Sequence, residues 1–202
     1  TMYYNTTGGY NVATGRQTLW KNTTGAYNTA IGLYALMCNT TAQCNTATGY
    51  KALVSNTTAG GNTAIGSHSL YSNTTGAYNT AVGTCALKTN TTGCRLVAVG
   101  MEALSVNTTG SDSVAIGNKV LCSNTTGAIN IGVGWRTLQS NTTGSRNTAS
   151  GYSALRDNTT GNCNTASGAH ALRSNTTASM NVAFGGCTLY ANTTGAKNTG
   201  VG

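Results

Sequence analysis

Carboxylates are almost missing from this chain. Among 202 residues only Glu102, Asp112 and Asp157 carry one, and neither of the two histidines, His68 and His170, has an acidic partner close by in sequence. Acid/base pairs and nucleophile triads need such groups together. No catalytic residue can be named, and an enzyme is not expected. The 27 glycines recur at a fixed interval instead of forming a phosphate-cradling loop, so nucleotide binding has no support either. No apolar run is long enough to span a bilayer, no signal-peptide pattern stands at the start, and Thr1 is not a methionine. Neither a cofactor nor membrane insertion is expected. Charged residues make up only 7% of the chain, a share that without order would suggest a disordered, low-complexity segment.

Order is present. The triplet Asn-Thr-Thr begins at Asn5, Asn22, Asn39, Asn56, Asn73, Asn90, Asn107, Asn124, Asn141, Asn158, Asn175 and Asn192, always 17 residues apart, with no insertion or deletion. A fixed period of this size marks a stacked architecture in which one repeat needs its neighbours to bury its apolar face. Residues 1–202 therefore read as a single elongated domain. The chain starts at repeat position 14 and stops at position 11, with no polar cap at either end. The expectation is a segment of a longer array or the subunit of a filament.

Numbered from each Asn-Thr-Thr, position 11 is Gly in every copy, from Gly15 to Gly202. That strictness requires either positive φ or close approach of another segment, and it predicts a corner. Position 4, always Gly or Ala, predicts a second corner just after the Thr pair. Position 15 is Leu at Leu19, Leu36, Leu53, Leu70, Leu87, Leu104, Leu121, Leu138, Leu155, Leu172 and Leu189, with Met2 in the leading fragment. This is the core ladder. Position 9 is Ala except at Gly132 and Gly200, so the cross-section is thin. Around it, positions 8 and 10 alternate as a strand does, as in Thr29/Ile31 and Val182/Phe184.

The prediction is an all-β fold: a parallel β-solenoid, or β-roll, with 17 residues per coil and about twelve coils. Strands of successive coils would pair at ~4.8 Å, giving a rod roughly 55 Å long. Asn at position 7, interrupted only by Leu96 and Ser113, predicts a side-chain amide ladder at a turn. Positions 5, 6, 12, 13, 16 and 17 vary and hold most of the charged and aromatic residues, so they face solvent. Since position 13 carries Lys, Arg and His two residues before the core leucine, the chain must bend between them.

The formal charge of +8 permits an anionic partner. On the repeat, however, nine of the eleven cations are spread over positions 6, 13 and 16 and form no single stripe, so nucleic acid is not expected. Seven cysteines, Cys38, Cys44, Cys85, Cys94, Cys122, Cys163 and Cys187, never share a column in adjacent coils, which excludes a disulfide ladder, and their odd number leaves a free thiol or an intermolecular bond. Stacking sets His68 over Cys85 and His170 over Cys187. Two ligands do not make a metal site.

The phrase Asn-Thr-Ala-Ile-Gly at Asn28 to Gly32 and Asn62 to Gly66, with Ser113-Val-Ala-Ile-Gly117, resembles the repeat of trimeric autotransporter adhesin heads. The longer sentence through Ala-Leu to Asn-Thr-Thr-Gly is similar to repeats of bacterial surface and phage tail-fibre-like proteins. The resemblance covers the whole chain. It implies a left-handed parallel β-roll, often trimeric, displayed outside a cell or virion as a stalk or adhesive surface.

Each Asn-Thr-Thr is also an Asn-x-Thr acceptor, giving twelve candidate glycosylation sites, Asn5 through Asn192, in one column. The same letters serve a turn (Asn) and a strand (Thr). Thr hydroxyls at positions 2 and 3 are alternative O-linked sites. The expected function is a non-enzymatic extracellular or cell-surface structural protein, a fibre or filament carrying covalent glycans and assembling with itself as a lateral trimer or end to end. The alternatives are an adhesin-type binding module and an ice-binding solenoid, the latter needing two ranks of Thr on one face, which adjacent Thr at positions 2 and 3 do not supply.

Overall fold

The protein is described over residues 1–202 by a computed structural model. Twelve three-residue strands occupy positions 8 to 10 of the repeat: β1 (Val12–Thr14), β2 (Thr29–Ile31), β3 (Thr46–Thr48), β4 (Thr63–Ile65), β5 (Thr80–Val82), β6 (Val97–Val99), β7 (Val114–Ile116), β8 (Ile131–Val133), β9 (Thr148–Ser150), β10 (Thr165–Ser167), β11 (Val182–Phe184) and β12 (Thr199–Val201). They form one parallel sheet in chain order, each residue paired with the one 17 further on, as Thr80 with Val97 and Ala81 with Ala98. This is a β-solenoid, and it contains no helix. β-Branched residues fit the pleated surface on the outer face, while Ala at position 9 points inward, where Ala81, Ala98 and Ala115 are fully buried.

Three residues per strand would be a weak sheet, but the ladder runs well beyond it. Leu87 N–H donates to Ala103 (3.0 Å), Thr91 to Thr108 (3.0 Å), Cys85 to Ser67 (3.0 Å) and Tyr78 to Gly60 (3.2 Å). Most of each coil is thus bonded to its neighbours in one register. An insertion of even one residue would break every ladder at once, which accounts for the strict period.

The corner expected at Gly in position 11 is present. These glycines have φ between 115 and 142°, and a Cβ on Gly83 would stand 2.6 Å from the Gly100 carbonyl oxygen of the next coil. Two further kinks follow, at the bend expected between positions 13 and 15. Positions 13 and 15 both take positive φ, as in Lys51 (56°) and Leu53 (51°). Ala86 N–H bonds back to Gly83 (3.3 Å), around Cys85, and Met37 N–H to Tyr34 (3.3 Å), around Leu36, closing turns in succession. A positive φ at the third residue is the mark of a type II turn. This curl separates the side chain at 13 from the leucine at 15.

The corner expected at position 4 is corrected. Those glycines carry no positive φ, and the left-handed residue lies at position 6, as in Tyr27 (59°) and Arg95 (55°). Position 4 is small because the Asn of position 1 folds over it: a Cβ on Gly93 would sit 2.5 Å from Asn90 Oδ1 and 2.4 Å from the Gly110 carbonyl oxygen.

Leucines 19 to 172 of position 15 have zero exposure, and Leu189 and Met2 pack against their ends half-buried. Burial of each such side chain stabilises by about 1.5–3 kcal/mol. Core volume is conserved locally: Val120, the one Val at position 14, lies where a Cβ on Gly132 would meet its Cγ1 at 2.6 Å, so the larger residue sits against the missing methyl.

Candidate functional site

The twelve candidate acceptor asparagines do not line an outer edge. Ten, Asn22 through Asn175, have zero exposure, and only Asn5 and Asn192 at the ends of the stack are half-buried. Each Nδ2 but that of Asn5 donates twice. Asn107 Nδ2 reaches Asn90 Oδ1 one coil away (2.8 Å) and the Gly110 carbonyl in its own coil (3.0 Å), and the same pair recurs at Asn124, Asn141 and Asn158. A sugar on Nδ2 would remove a donor and has no room inside the coil. The glycosylation assignment is therefore corrected for this column: Asn-Thr-Thr is the turn-closing ladder that the triplet also encodes.

The position 7 asparagines form a second buried ladder. Asn147 takes its place by donating its backbone N–H to Asn130 Oδ1 (3.0 Å) and its Nδ2 to the Gly161 carbonyl (2.8 Å). At the interruptions the coil adapts: Leu96 N–H still donates to Asn79 Oδ1 (3.0 Å), and Ser113 Oγ accepts from Asn130 N–H (3.0 Å). Buried polar groups that are fully paired hold a unique register, because a slip would strand them.

Thr at position 2 is half-buried and donates its hydroxyl to the equivalent carbonyl of the next coil, as Thr91 to Thr108 (3.0 Å). Thr at position 3 is exposed from Thr7 to Thr194. This column presents a free hydroxyl in every coil.

Two lateral faces remain. The first is the outer face of the sheet, positions 8 and 10. Its 24 residues are Thr, Val, Ile, Ser and one Phe, without a single charge, and Ile31, Ile65, Ile116, Ile131 and Phe184 stand 41–48% exposed. Thr fills both ranks of one strand only in β3, so the regular double Thr rank of an ice-binding face is not formed here.

The second face is built by the curl after position 11, which brings positions 12, 13, 16 and 17 together. Seven of the ten tyrosines, both tryptophans, both histidines and eight of the eleven cations lie in these columns. Side chains touch within and between columns: Tyr3 stacks on Trp20, both at position 16, at 4.7 Å, Tyr50 at position 12 meets His68 at position 13 edge-on at 5.1 Å, and Trp135, Tyr152, His170 and Tyr190 form a run across positions 12, 13 and 16 with centroids 4.8–6.2 Å apart. Arg136 lies over Trp135 (4.5 Å) and Arg173 over Tyr190 (5.3 Å). The cations still form no single stripe, but columns distant in the repeat become neighbours once the backbone curls, which sets Lys51, Arg136 and Arg173 against aromatic rings. What would have revealed it in sequence is the concentration of aromatics in these same four columns.

No protein family, curated protein or solved structure matches this chain.

Each carboxylate is engaged by one cation: Asp112 by Arg95 (2.6 Å), Glu102 by Lys119 (3.6 Å) and Asp157 by Arg156 (2.7 Å). The Arg95 side chain holds the Asp112 carboxyl below its ordinary range, and the Asp157 carboxylate raises Arg156. Both pairs are open to solvent and contribute little to stability. Eight cations are left without a carboxylate. Lys51 is held above the usual lysine range by the Tyr50 side chain, while desolvation, then Lys51 and Lys88, push His68 down. All seven cysteines are free thiols. Burial raises Cys122, which keeps it a thiol. His68 binds Ser67 Oγ through Nδ1 (2.9 Å), and no three potential metal ligands gather anywhere. No helix is long and apolar enough to cross a membrane.

Proposed function

We propose that the chain is a non-catalytic structural rod of an extracellular or cell-surface fibre, whose copies associate side by side through the outer face of the sheet. The observation that carries this reading is that face: two ranks of twelve uncharged, largely β-branched residues running the length of a molecule with net charge +8. Like-charged copies repel, and this face is where they approach with no cation opposed to another. Twelve strands by three residues make a strip of roughly 55 by 10 Å in projection. With side-chain relief it approaches the ~800 Å² per partner of a standard interface. Exposed apolar patches of several hundred Å² on soluble proteins mark such contacts. Axial growth follows the same register, since an edge strand is a template for a further coil.

Covalent glycans, in this reading, sit on the exposed Thr column at position 3 and leave the Asn column bare. Peptide mapping by mass spectrometry distinguishes the two. The test of the assembly is sedimentation of the native chain against the double variant Ile65→Lys/Ile116→Lys. Native rods that pair laterally, and a variant that sediments as single rods with unchanged circular dichroism, support the proposal. Native protein that remains single at tens of micromolar sinks it. An adhesin-type role is favoured by the second face, with its aromatic and cationic side chains.

A further inference from the structure

On that second face, three successive coils line a shallow hollow that is open to solvent on one side. Its volume is about 300 Å³ and its lining is Tyr34 and Met37 from one coil, Lys51 and Val54 from the next, and Tyr71 from the third. The Lys51 ammonium lies 5.1 Å from the Tyr50 ring centroid, 5.9 Å from Tyr71 and 6.0 Å from Tyr34. It has no carboxylate partner, because all three acids of the chain are paired elsewhere. An apolar floor, aromatic walls and a single convergent charge are the attributes of a small-ligand site.

We propose that this hollow binds one carboxylated sugar ring of an acidic polysaccharide, with the ring on the tyrosines and its carboxylate on Lys51. A pyranose has an apolar C–H face, suited to Tyr34, Met37, Val54 and Tyr71, and a hydroxylated edge that the phenolic hydroxyls can meet. A cation held over aromatic rings is attracted by their negative faces yet keeps its N–H groups for an anion. Size selects a single ring, since 300 Å³ is the lower end of the range for ligand pockets. Charge selects an acidic one.

A single-stranded nucleic acid fits less well. It requires a continuous track of cations along the backbone, and here the track is interrupted: Lys51 and Lys88 flank His68, which their charges and desolvation push toward the neutral form, position 13 of the next coil is Cys85, and further along Glu102 neutralises Lys119. The second tract on the same face, with Arg136 on Trp135 and Arg173 on Tyr190, gives a long polymer another place to touch. Binding of a chain then exceeds that of one ring through effective concentration.

The test uses the full chain with three probes of matched length: a galacturonate oligomer, a neutral dextran oligomer and oligo-dT. Two variants put into the site residues that the chain already uses at the same repeat positions, Lys51→Gln (as at Gln17) and Tyr71→Ser (as at Ser105), so the coil is retained. Galacturonate binding at least tenfold tighter than dextran, falling at least tenfold in each variant and weakening with salt, supports the site. Equal affinity for dextran, or native affinity in Lys51→Gln, overturns it. Tighter binding of oligo-dT than of galacturonate overturns it in favour of a nucleic-acid surface. The substitutions lie away from the sheet face, so sedimentation of the same variants reports lateral association independently.

Discussion

Asn90 Nδ2 donates to Asn73 Oδ1 across the coil boundary at 2.9 Å and to the Gly93 carbonyl within its own coil at 3.0 Å. One amide thus closes a turn and joins two coils. Because both residues are fully buried, the groups have no water to fall back on. Asn90→Ala leaves Asn73 Oδ1 without its donor and takes the Oδ1 acceptor from Asn107 Nδ2, while the Gly93 carbonyl keeps only Asn79 Nδ2, at a cost of about 1–3 kcal/mol. Asn90→Asp also buries a charge, and the cost rises to about 3–5 kcal/mol. Denaturant midpoints measure both. Thr92→Val, which destroys the same sequon at an exposed position, should stay within about 0.5 kcal/mol of native.

At Gly100 the constraint is steric. Its φ is 133°, and a Cβ would stand 2.3 Å from the Gly117 carbonyl oxygen. Gly100→Ala should therefore lose about 1–3 kcal/mol from the backbone conformation alone, with the clash added. Thermal unfolding of the variant checks this, and a native melting profile would contradict the assigned corner.

Ile129 is a β-branched residue held at φ 59° on the exposed column of position 6. Left-handed backbone costs an ordinary L-residue about 1–2 kcal/mol, and Asn tolerates it. Ile129→Asn should stabilise the rod by about 1 kcal/mol, read as a raised denaturant midpoint.

His68 titrates below its ordinary value in the folded state, through desolvation first and then the nearby Lys51 and Lys88 charges. The unfolded chain therefore binds the proton more readily. Stability attributable to His68 is complete above the unfolded pKa, near 6.5, and is lost as pH falls from there through the lower folded value. His68→Gln should flatten that part of the stability curve, measured by melting between pH 7 and pH 5, and a variant with the same acid dependence as native would contradict the assignment.

The stacking, the strand at positions 8 to 10, the glycine corner and the leucine ladder were all legible, because each is a backbone or burial demand repeated twelve times with little choice of residue. The buried Asn column was not: Asn-Thr-Thr spells a sugar acceptor and a turn with the same letters, and only the direction of the side chain separates them. Left-handed backbone at position 13 was hidden because Lys51, His68 and Arg136 adopt it where Gly or Asn would have signalled it. That same curl gathers Tyr34, Lys51 and Tyr71 around one hollow, and while a bend between positions 13 and 15 was expected, no residue type signalled which columns it would bring together.

Cross-linking at the repeat distance is the most direct test of the register on which everything above depends. Ser105 Oγ reaches the Cys122 carbonyl at 3.3 Å, and Cys94 N–H reaches Ser111 Oγ at 3.0 Å, so each serine stands beside a native cysteine 17 residues away. Neighbouring strands lie within the Cα separation a disulfide spans. Under mild oxidation Ser105→Cys should link to Cys122, and Ser111→Cys to Cys94, with peptide mapping finding no exchange between the two pairs. Links at other spacings, or crosswise between the pairs, would show that the copies do not lie one above another.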